Sequence, residues 1–295
     1  LIPNASRAAG IGKEKFFMDA ISILAALDEH YLPQLHVLLT SLRLNNPGEH
    51  MDLYLLQSAV SPEGLAGVER LCAAFGYGFF PVRVDDALFQ GAPVSRQYPK
   101  EMYYRLLASR LLPDTLDRVL YLDPDILVLN PLRPLWETDL EGNLFAAAAH
   151  TGKTELANSV NRMRLNSGSD YYNSGVLLMD LAAARREIAP EEIFRYVADH
   201  KKELLLPDQD LLNALYGRRI LPLDDALWNY DARNYNNYRL RSAGAHDLPW
   251  VMEHTAILHF CGKAKPWKPG YVYRFGVLYH HYAQLARRAC QAYRA

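Results

Sequence analysis

The stretch from Arg118 to Pro131, RVLYLDPDILVLNP, decides how the chain is read. Its two flanks have the apolar, β-branched makeup of buried strand, yet Asp123-Pro124-Asp125 stands between them. An ionised carboxylate is costly to bury without a partner. Pro124 has a fixed φ and no amide hydrogen, so it ends a regular ladder there and lets Asp123 and Asp125 converge on one point. Two like charges held close raise a pKa unless a cation lies between them, and oxygen donors suit Mg2+ or Mn2+, with phosphate oxygens completing the shell. The competing reading is a plain turn, because Asp and Pro both favour turns. An Asp-x-Asp spacing alone does not choose between the two.

Working outward, the chain alternates. DAISILAAL (19–27) reads as a strand, DEHYLP as a loop, and PQLHVLLTSLRLNN (33–46) as a helix. MDLYLLQ (51–57) is the next strand. SPEGLAGVERLCAAFG (61–76) is a helix opened by a Ser cap and a first-position Pro, and YGFFPVRV (77–84) is a strand. EMYYRLLASRLL (101–112) reads as one helix with Tyr104, Leu107, Ala108 and Leu111 on one face, leading into RVLYL. Further on, NLFAAAA, GVLLMDL and TAILHF read as strands, and PEEIFRYVADHKKELL and DQDLLNALYG as helices. Strands alternating with helices predict an α/β fold with a mostly parallel sheet.

Composition narrows the function classes. The chain has 295 residues, half of them apolar, and a net charge of −1. It is therefore long enough for a large core and lacks the basic excess usual in a nucleic-acid binder. Cys72, Cys261 and Cys290 are far apart and odd in number, which speaks against a disulfide framework or a zinc site and for a reducing compartment. No apolar run approaches the ~20 residues needed to cross a bilayer. The opening LIPNASRAAGIGKEK is read as a loose or foreign leader and left out of the fold.

Ligands of open α/β sheets bind beyond the carboxyl ends of the strands, where Asp123 falls. A second group lies in ILHFCGKAKPW, with His259 at a strand end followed by Gly262 and Lys265. A neutral imidazole offers a third metal ligand, the glycine allows close backbone approach, and the ammonium takes a phosphate charge. Taken one at a time these residues are more simply a strand-end His, a turn Gly and a solvated Lys. YYNSGVLLMDL places Asn173 before a strand, and LLLPDQDLLNALYG opens a helix with Asp208, Gln209 and Asp210. Acids at a helix start often only cap it, a reading that suits Asp208 and leaves Gln209 unexplained. ALDEHYLP puts Asp28, His30 and Tyr31 in the loop after the first strand, where base and ribose are recognised in doubly wound folds. The absence of Gly-x-Gly-x-x-Gly argues against NAD or FAD, and no glycine-rich triphosphate loop supports a nucleotidyltransferase.

In combination, YLDPDILVL and LHFCGKAKPW resemble glycosyltransferase family 8, the retaining, metal-dependent group with bacterial lipopolysaccharide galactosyltransferases among its members. The resemblance runs from about Ile21 to Tyr271. It implies a GT-A type, Rossmann-like nucleotide-sugar-binding fold with a mostly parallel mixed sheet. Residues 16–270 would form that domain and residues 271–295 a C-terminal helical extension. It implies a UDP-sugar donor and Mn2+ (or Mg2+) held by Asp123, Asp125 and His259. By the same resemblance Ala26, Asp28, His30 and Tyr31 contact the nucleoside, although family members often carry Asn where this chain has His30. Gly262 and Lys265 contact the diphosphate. Arg105, Asn173, Asp208 and Gln209 face the donor sugar near the reacting carbon, as catalytic residues.

The expected activity is transfer of a hexose, galactose or glucose, from a UDP-hexose to a glycan or glycolipid acceptor. The alternative is a non-catalytic nucleotide-sugar or glycan-binding protein on the same fold. The segment HTGKTELANSVNRMRLNSGSD from His150 is expected to close over the donor, and LWNYDARNYNNYRL to offer aromatic rings to sugars. The tail YVYRFGVLYHHYAQLARRACQAYRA, basic and without an acid, is expected to pack through Phe275, Leu278, Tyr282 and Leu285. Peripheral membrane contact of an otherwise cytoplasmic protein is the second reading of that helix.

Overall fold

A computed structural model describes residues 19–90, 92–94, 101–149, 164–165 and 168–293. The expected lid from His150 falls largely outside these, as does the opening segment. Among the described residues ten strands form two sheets. The main sheet contains β1 (Ile21–Ala26), β2 (Met51–Gln57), β3 (Gly78–Arg83), β4 (Arg118–Leu122), β6 (Phe145–Ala148), β7 (Val176–Asp180) and β8 (Ile220–Leu223) in the order β3-β2-β1-β4-β7-β6-β8. All neighbours are parallel except β7, which runs against both β4 and β6. The small sheet has the order β5 (Ile126–Val128), β10 (Ile257–His259), β9 (Tyr230–Asp231).

Side chains alternate across the main sheet. Ile23, Ala25, Leu53, Leu55, Leu120 and Leu122 face one core layer, packed with Leu35, Leu38 and Leu42 of α1 (Leu32–Asn45) and Val68 and Leu71 of α2 (Pro62–Phe75). Leu24, Leu56, Val119, Tyr121 and Leu177 face the other, with Tyr103, Tyr104, Leu107, Leu211 and Leu212. A sheet covered on both faces explains why its strands read as nearly continuous apolar runs. The α2 helix starts as its sequence indicates, with Ser61 Oγ accepting the Gly64 amide at 3.0 Å.

Two elements depart from expectation. EMYYRLLASRLL is two short helices, Glu101–Tyr104 and Ala108–Leu111, broken by a turn at Arg105–Leu107. Periodicity could not show this, because the residues on both sides are apolar and buried. PEEIFRYVADHKKELL ends as a helix at Asp199, where charged Lys201, Lys202 and Glu203 offer nothing to bury. The helix Gly276–Ala292 packs on α1, but its buried stripe is Phe275, Tyr279 and Ala286, with Leu278 and Tyr282 at the margin and Leu285 beside it. Tyr282 Oη accepts from Asn45 Nδ2 at 2.8 Å. No helix among the described residues is long and apolar enough to cross a membrane.

β1 and β4 are adjacent while the connection from β1 leads away to β2, so their shared carboxyl end is a topological switch point. β7 is antiparallel, which brings its amino end, Asn173 to Gly175, to the same edge.

Candidate active site

Asp123-Pro124-Asp125 is the corner at which the chain leaves one sheet and enters the other. The Asp123 amide donates to Gly175 O at 2.8 Å, extending the β4–β7 pairing. Asp125 O accepts from the Phe260 amide at 3.0 Å, extending the β5–β10 pairing. Pro124, which has no amide to satisfy, sits where neither ladder could use one. The two carboxylates thus hang from different sheets and meet His259 at the end of β10. One ligand atom from each of Asp123, Asp125 and His259 lies within 4.8 Å of the others. His259 Nε2 is 3.3 Å from Asp125 Oδ1 and 3.8 Å from Asp123 Oδ2. Gly175 closes the cradle: a Cβ there would collide with the His259 ring and come within 2.7 Å of Asp123 Oδ2. Two carboxylates and an imidazole fit a divalent cation such as Mn2+ or Mg2+.

The His259 tautomer follows from one backbone donor. The Gly175 amide donates to Asn173 Oδ1 at 2.9 Å, which identifies that atom as oxygen. Asn229 Nδ2 therefore donates to the same oxygen at 2.9 Å, and Asn229 Oδ1 is left to accept from His259 Nδ1–H at 2.8 Å. With Nδ1 carrying that proton, Nε2 is the ring nitrogen aimed at the carboxylates. In the other direction Asn173 Nδ2 donates to Gln209 Oε1 at 3.0 Å. His259, Asn229, Asn173 and Gln209 are thus one hydrogen-bonded chain.

Arg105 occupies the broken helix turn and reaches two acids. Its guanidinium is 3.2 Å from Asp123 Oδ1 and 3.1 Å from Asp208 Oδ2, donates to Ser174 O at 2.8 Å, and lies 4.7 Å from the centre of the Tyr121 ring. Burial works against its charge, but Asp123 and Asp208 more than offset this and hold Arg105 protonated. Tyr121 Oη donates to Asp123 Oδ1 at 2.6 Å. Lys265 Nζ contacts Asp125 Oδ2 and donates to Phe260 O at 2.8 Å. Burial would raise the Asp125 pKa, yet His259 and Lys265 hold it well below the usual carboxylate range. Burial likewise opposes the charge on His259, and Cys261 and Asp125 nonetheless hold its pKa above the ordinary value.

At the nucleoside end, Ala26 closes β1, and Asp28 Oδ1 accepts the His30 amide at 2.9 Å. Asp28 and His30 are exposed. Tyr31 lies edge-on to Trp267, ring centres 6.3 Å apart; burial raises its pKa, and Lys265 and Asp125 are near enough to act on it. Gly262 has φ +79°, a backbone shape suited to glycine, and a side chain there would strike Arg233 Nη1.

The Glycosyl transferase family 8 model matches residues 22–269, most of the chain. The chain belongs to glycosyltransferase family 8. General stress protein A of Bacillus subtilis is 28% identical over 272 residues, covering 90% of this chain and 93% of that protein. The Lipopolysaccharide 1,2-glucosyltransferase of Escherichia coli K12 is 26% identical, covering 86% and 75%. Galactosyltransferase LgtC in complex with donor and acceptor sugar analogs superposes with a TM-score of 0.74 at 25% identity, covering 90% of this chain and 96% of that one. The fold of this family 8 chain is GT-A.

The family 8 motifs thus converge from both sheets, but several residues that shape the site carried no signal in the sequence. Asn229 lies in LWNYDARNYNNYRL, whose aromatic content drew attention to its tyrosines. Tyr230 and Tyr238 are instead buried and stacked at 3.9 Å, and the buried Tyr235 lies under the Arg274 guanidinium. Asp208 does not cap its helix, Pro207–Tyr216; it accepts from Ser174 Oγ at 3.0 Å and pairs with Arg105. The buried Asp210 takes the Leu205 and Leu206 amides at 2.6 and 3.0 Å, Tyr171 Oη at 2.5 Å and Arg164 at 2.7 Å.

Proposed function

We propose that the chain is a retaining, metal-dependent hexosyltransferase that moves galactose or glucose from a UDP-sugar to a glycan or glycolipid acceptor in cell-surface glycan assembly. The convergence of Asp123, Asp125 and His259 on one point, with Lys265 beside them, carries this reading. The similarity to a lipopolysaccharide glucosyltransferase and to a galactosyltransferase solved with sugar analogs supports it. Residues 16–270 are the catalytic domain in this reading, and 271–295 a helical extension of a cytoplasmic protein. The exposed Arg287 and Arg288 of that extension are available to an anionic membrane.

A bound Mn2+ or Mg2+ would neutralise charge building on the UDP leaving group. The residues divide the remaining work. Ala26, Asp28, His30 and Tyr31 hold the nucleoside at the end of β1. Gly262 lets the backbone approach the diphosphate, and the Lys265 ammonium stabilises it as the bond to the sugar breaks. Arg105 fixes Asp123 and Asp208 relative to each other, so the acids facing donor and sugar keep their spacing. Asn173 orients Gln209, whose neutral amide is a poor nucleophile and suits stabilisation of an oxocarbenium-like carbon. Front-side attack follows, with the leaving phosphate accepting the proton of the acceptor hydroxyl.

UDP release from a panel of UDP-sugars, with Mn2+ and with EDTA, and with Asp125→Ala, tests the proposal. Metal-dependent release from one sugar, lost in the variant, is expected. A chain that neither releases UDP nor binds it with Mn2+ would refute the donor assignment. A sugar trapped on Gln209 or Asp208 in a single turnover would replace front-side attack with a covalent route.

A further inference from the structure

Beside the turn at Gly262 the structure holds a second polar recess that none of the roles above uses. A cavity of about 370 Å³ is lined by Arg233, Asn236, Tyr273 and Arg274, among others, and by no carboxylate. Arg233 is pre-set. Its Nε and Nη2 donate to Asp231 at 2.9 and 2.7 Å, and Asp231 is 2% exposed, so the guanidinium plane is fixed while its Nη1 side faces the Gly262 turn. Asp231 pairs with His259 across β9 and β10, which ties this arginine to the strand bearing the histidine of the candidate metal site. Arg274 lies 4.5 Å over the Tyr235 ring and has no acidic partner among the described residues. Asp231 balances the charge of Arg233, so Arg274 supplies an uncompensated positive charge in a chain whose net charge is −1.

We infer that this recess is an acceptor subsite that reads an anionic substituent, phosphate or carboxylate, on the acceptor glycan. The inference rests on the transfer reading above and names the class of acceptor. The chemistry favours an anion: a planar guanidinium offers paired donors that match phosphate or carboxylate oxygens, and stacking on Tyr235 holds Arg274 without neutralising it. The position favours the acceptor, because the recess adjoins the diphosphate turn, where an acceptor must come close to the donor's reacting carbon. Asn236 adds an exposed amide that can bond a neighbouring sugar hydroxyl.

The test uses the whole chain with Mn2+ and UDP. Binding of glucose 6-phosphate and of methyl glucuronide is compared with that of neutral methyl glucoside by calorimetry or ligand-observed NMR, the two charged probes separating phosphate from carboxylate. At least one charged probe is expected to bind about tenfold more tightly than the neutral one, the scale of one charge-assisted hydrogen bond. Arg274→Ala should remove most of that preference and Arg274→Glu all of it, and both are tolerable because Arg274 is exposed. Arg195→Ala, an exposed arginine outside the recess, should leave the preference in place.

Equal binding of charged and neutral probes, or a preference that survives Arg274→Glu, would overturn the inference. So would Arg274→Ala weakening UDP as much as the probes, which would assign the arginine to the donor. Metal-dependent UDP release from the same wild-type sample separates the two claims. Release without anion preference sinks only the subsite, whereas anion preference without release from any UDP-sugar sinks the acceptor role together with the transfer reading.

Discussion

Replacing Asn229 separates holding the metal site from orienting Gln209. Asn229 is fully buried, accepts from His259 Nδ1–H at 2.8 Å and donates to Asn173 Oδ1 at 2.9 Å. Asn229→Ala removes both bonds and strands a buried donor on His259, a cost of about 1–3 kcal/mol. Asn173 Oδ1 keeps its bond from the Gly175 amide, so the loss on that side is smaller. A ring without its orienting acceptor swings and changes tautomer, which in metal sites lowers affinity by about 10–100-fold, or about 1.4–2.7 kcal/mol. The two estimates agree, so the metal site should carry most of the damage. Asn229→Asp keeps an acceptor for His259 Nδ1–H but cannot donate to Asn173. Its Mn2+ affinity should stay within about threefold of wild type, while turnover falls by about tenfold or more through the Asn173–Gln209 arm. Calorimetric Mn2+ titration, UDP release and a circular dichroism melt read these effects apart. Asn229→Ala binding Mn2+ as wild type does, in a folded protein, would refute the tautomer argument.

Three further outcomes are expected. Gly175→Ala should cost about 1–3 kcal/mol of overpacking, and because the new methyl meets His259 and Asp123, Mn2+ affinity should fall by about tenfold; unchanged affinity would mean the cradle relaxes. Arg105→Lys replaces a fork that spans Asp123, Asp208 and Ser174 with a point charge that cannot, so kcat should drop by about 100-fold with a smaller change in KM, and an effect on KM alone would make Arg105 a binding residue only. Asp210 has its pKa lowered in the folded chain, burial being outweighed by Arg164, Tyr171 and the Leu205 and Leu206 amides. The unfolded state therefore takes up its proton first, at about pH 3.9, so the stabilisation is complete above that value and is lost as pH falls further towards the folded pKa. Asp210→Ala, which takes away the acceptor shared by Arg164, Tyr171 and the Leu205 and Leu206 amides, should cost about 3–5 kcal/mol in urea unfolding at pH 7, with a shrinking difference from wild type at acid pH.

What the sequence disclosed and what it hid differ by the range over which each residue finds its partners. Ser61 and Gly64 are three residues apart, and the cap they make was legible. Asp123, Pro124 and Asp125 are contiguous, so proline chemistry and charge repulsion together raised the question of a cation before any fold was known. The alternation of strands with helices likewise gave the α/β sheet, while the short strands β8 and β9 left no pattern long enough to read. Asn229 looks like one asparagine among several, because its partners Asn173 and His259 are 56 and 30 residues away. Asp210 looked no different from Asp208 in the same helix start, and only the placement of Arg105 and Arg164 shows that Asp208 pairs at the site while Asp210 is a buried acceptor away from it.

The corner at Pro124 explains why these distant residues act together. Asp123 belongs to the hydrogen bonding of the main sheet and Asp125 to that of the small one, so the distance between the two carboxylates reports how the sheets sit against each other. His259 lies on the small sheet and Gly175 on the main one, and Asn229 bonds to residues of both sides. A rigid site is therefore obtained only when the second sheet has docked, through β10 and the long-range pairing that positions it. Placing the ligands on two sheets makes the site sensitive to that docking, and it gives Arg233, fixed to Asp231 on β9, the same dependence. The aspartates supply the chemistry that the sequence announces, and the interface between the sheets supplies its geometry.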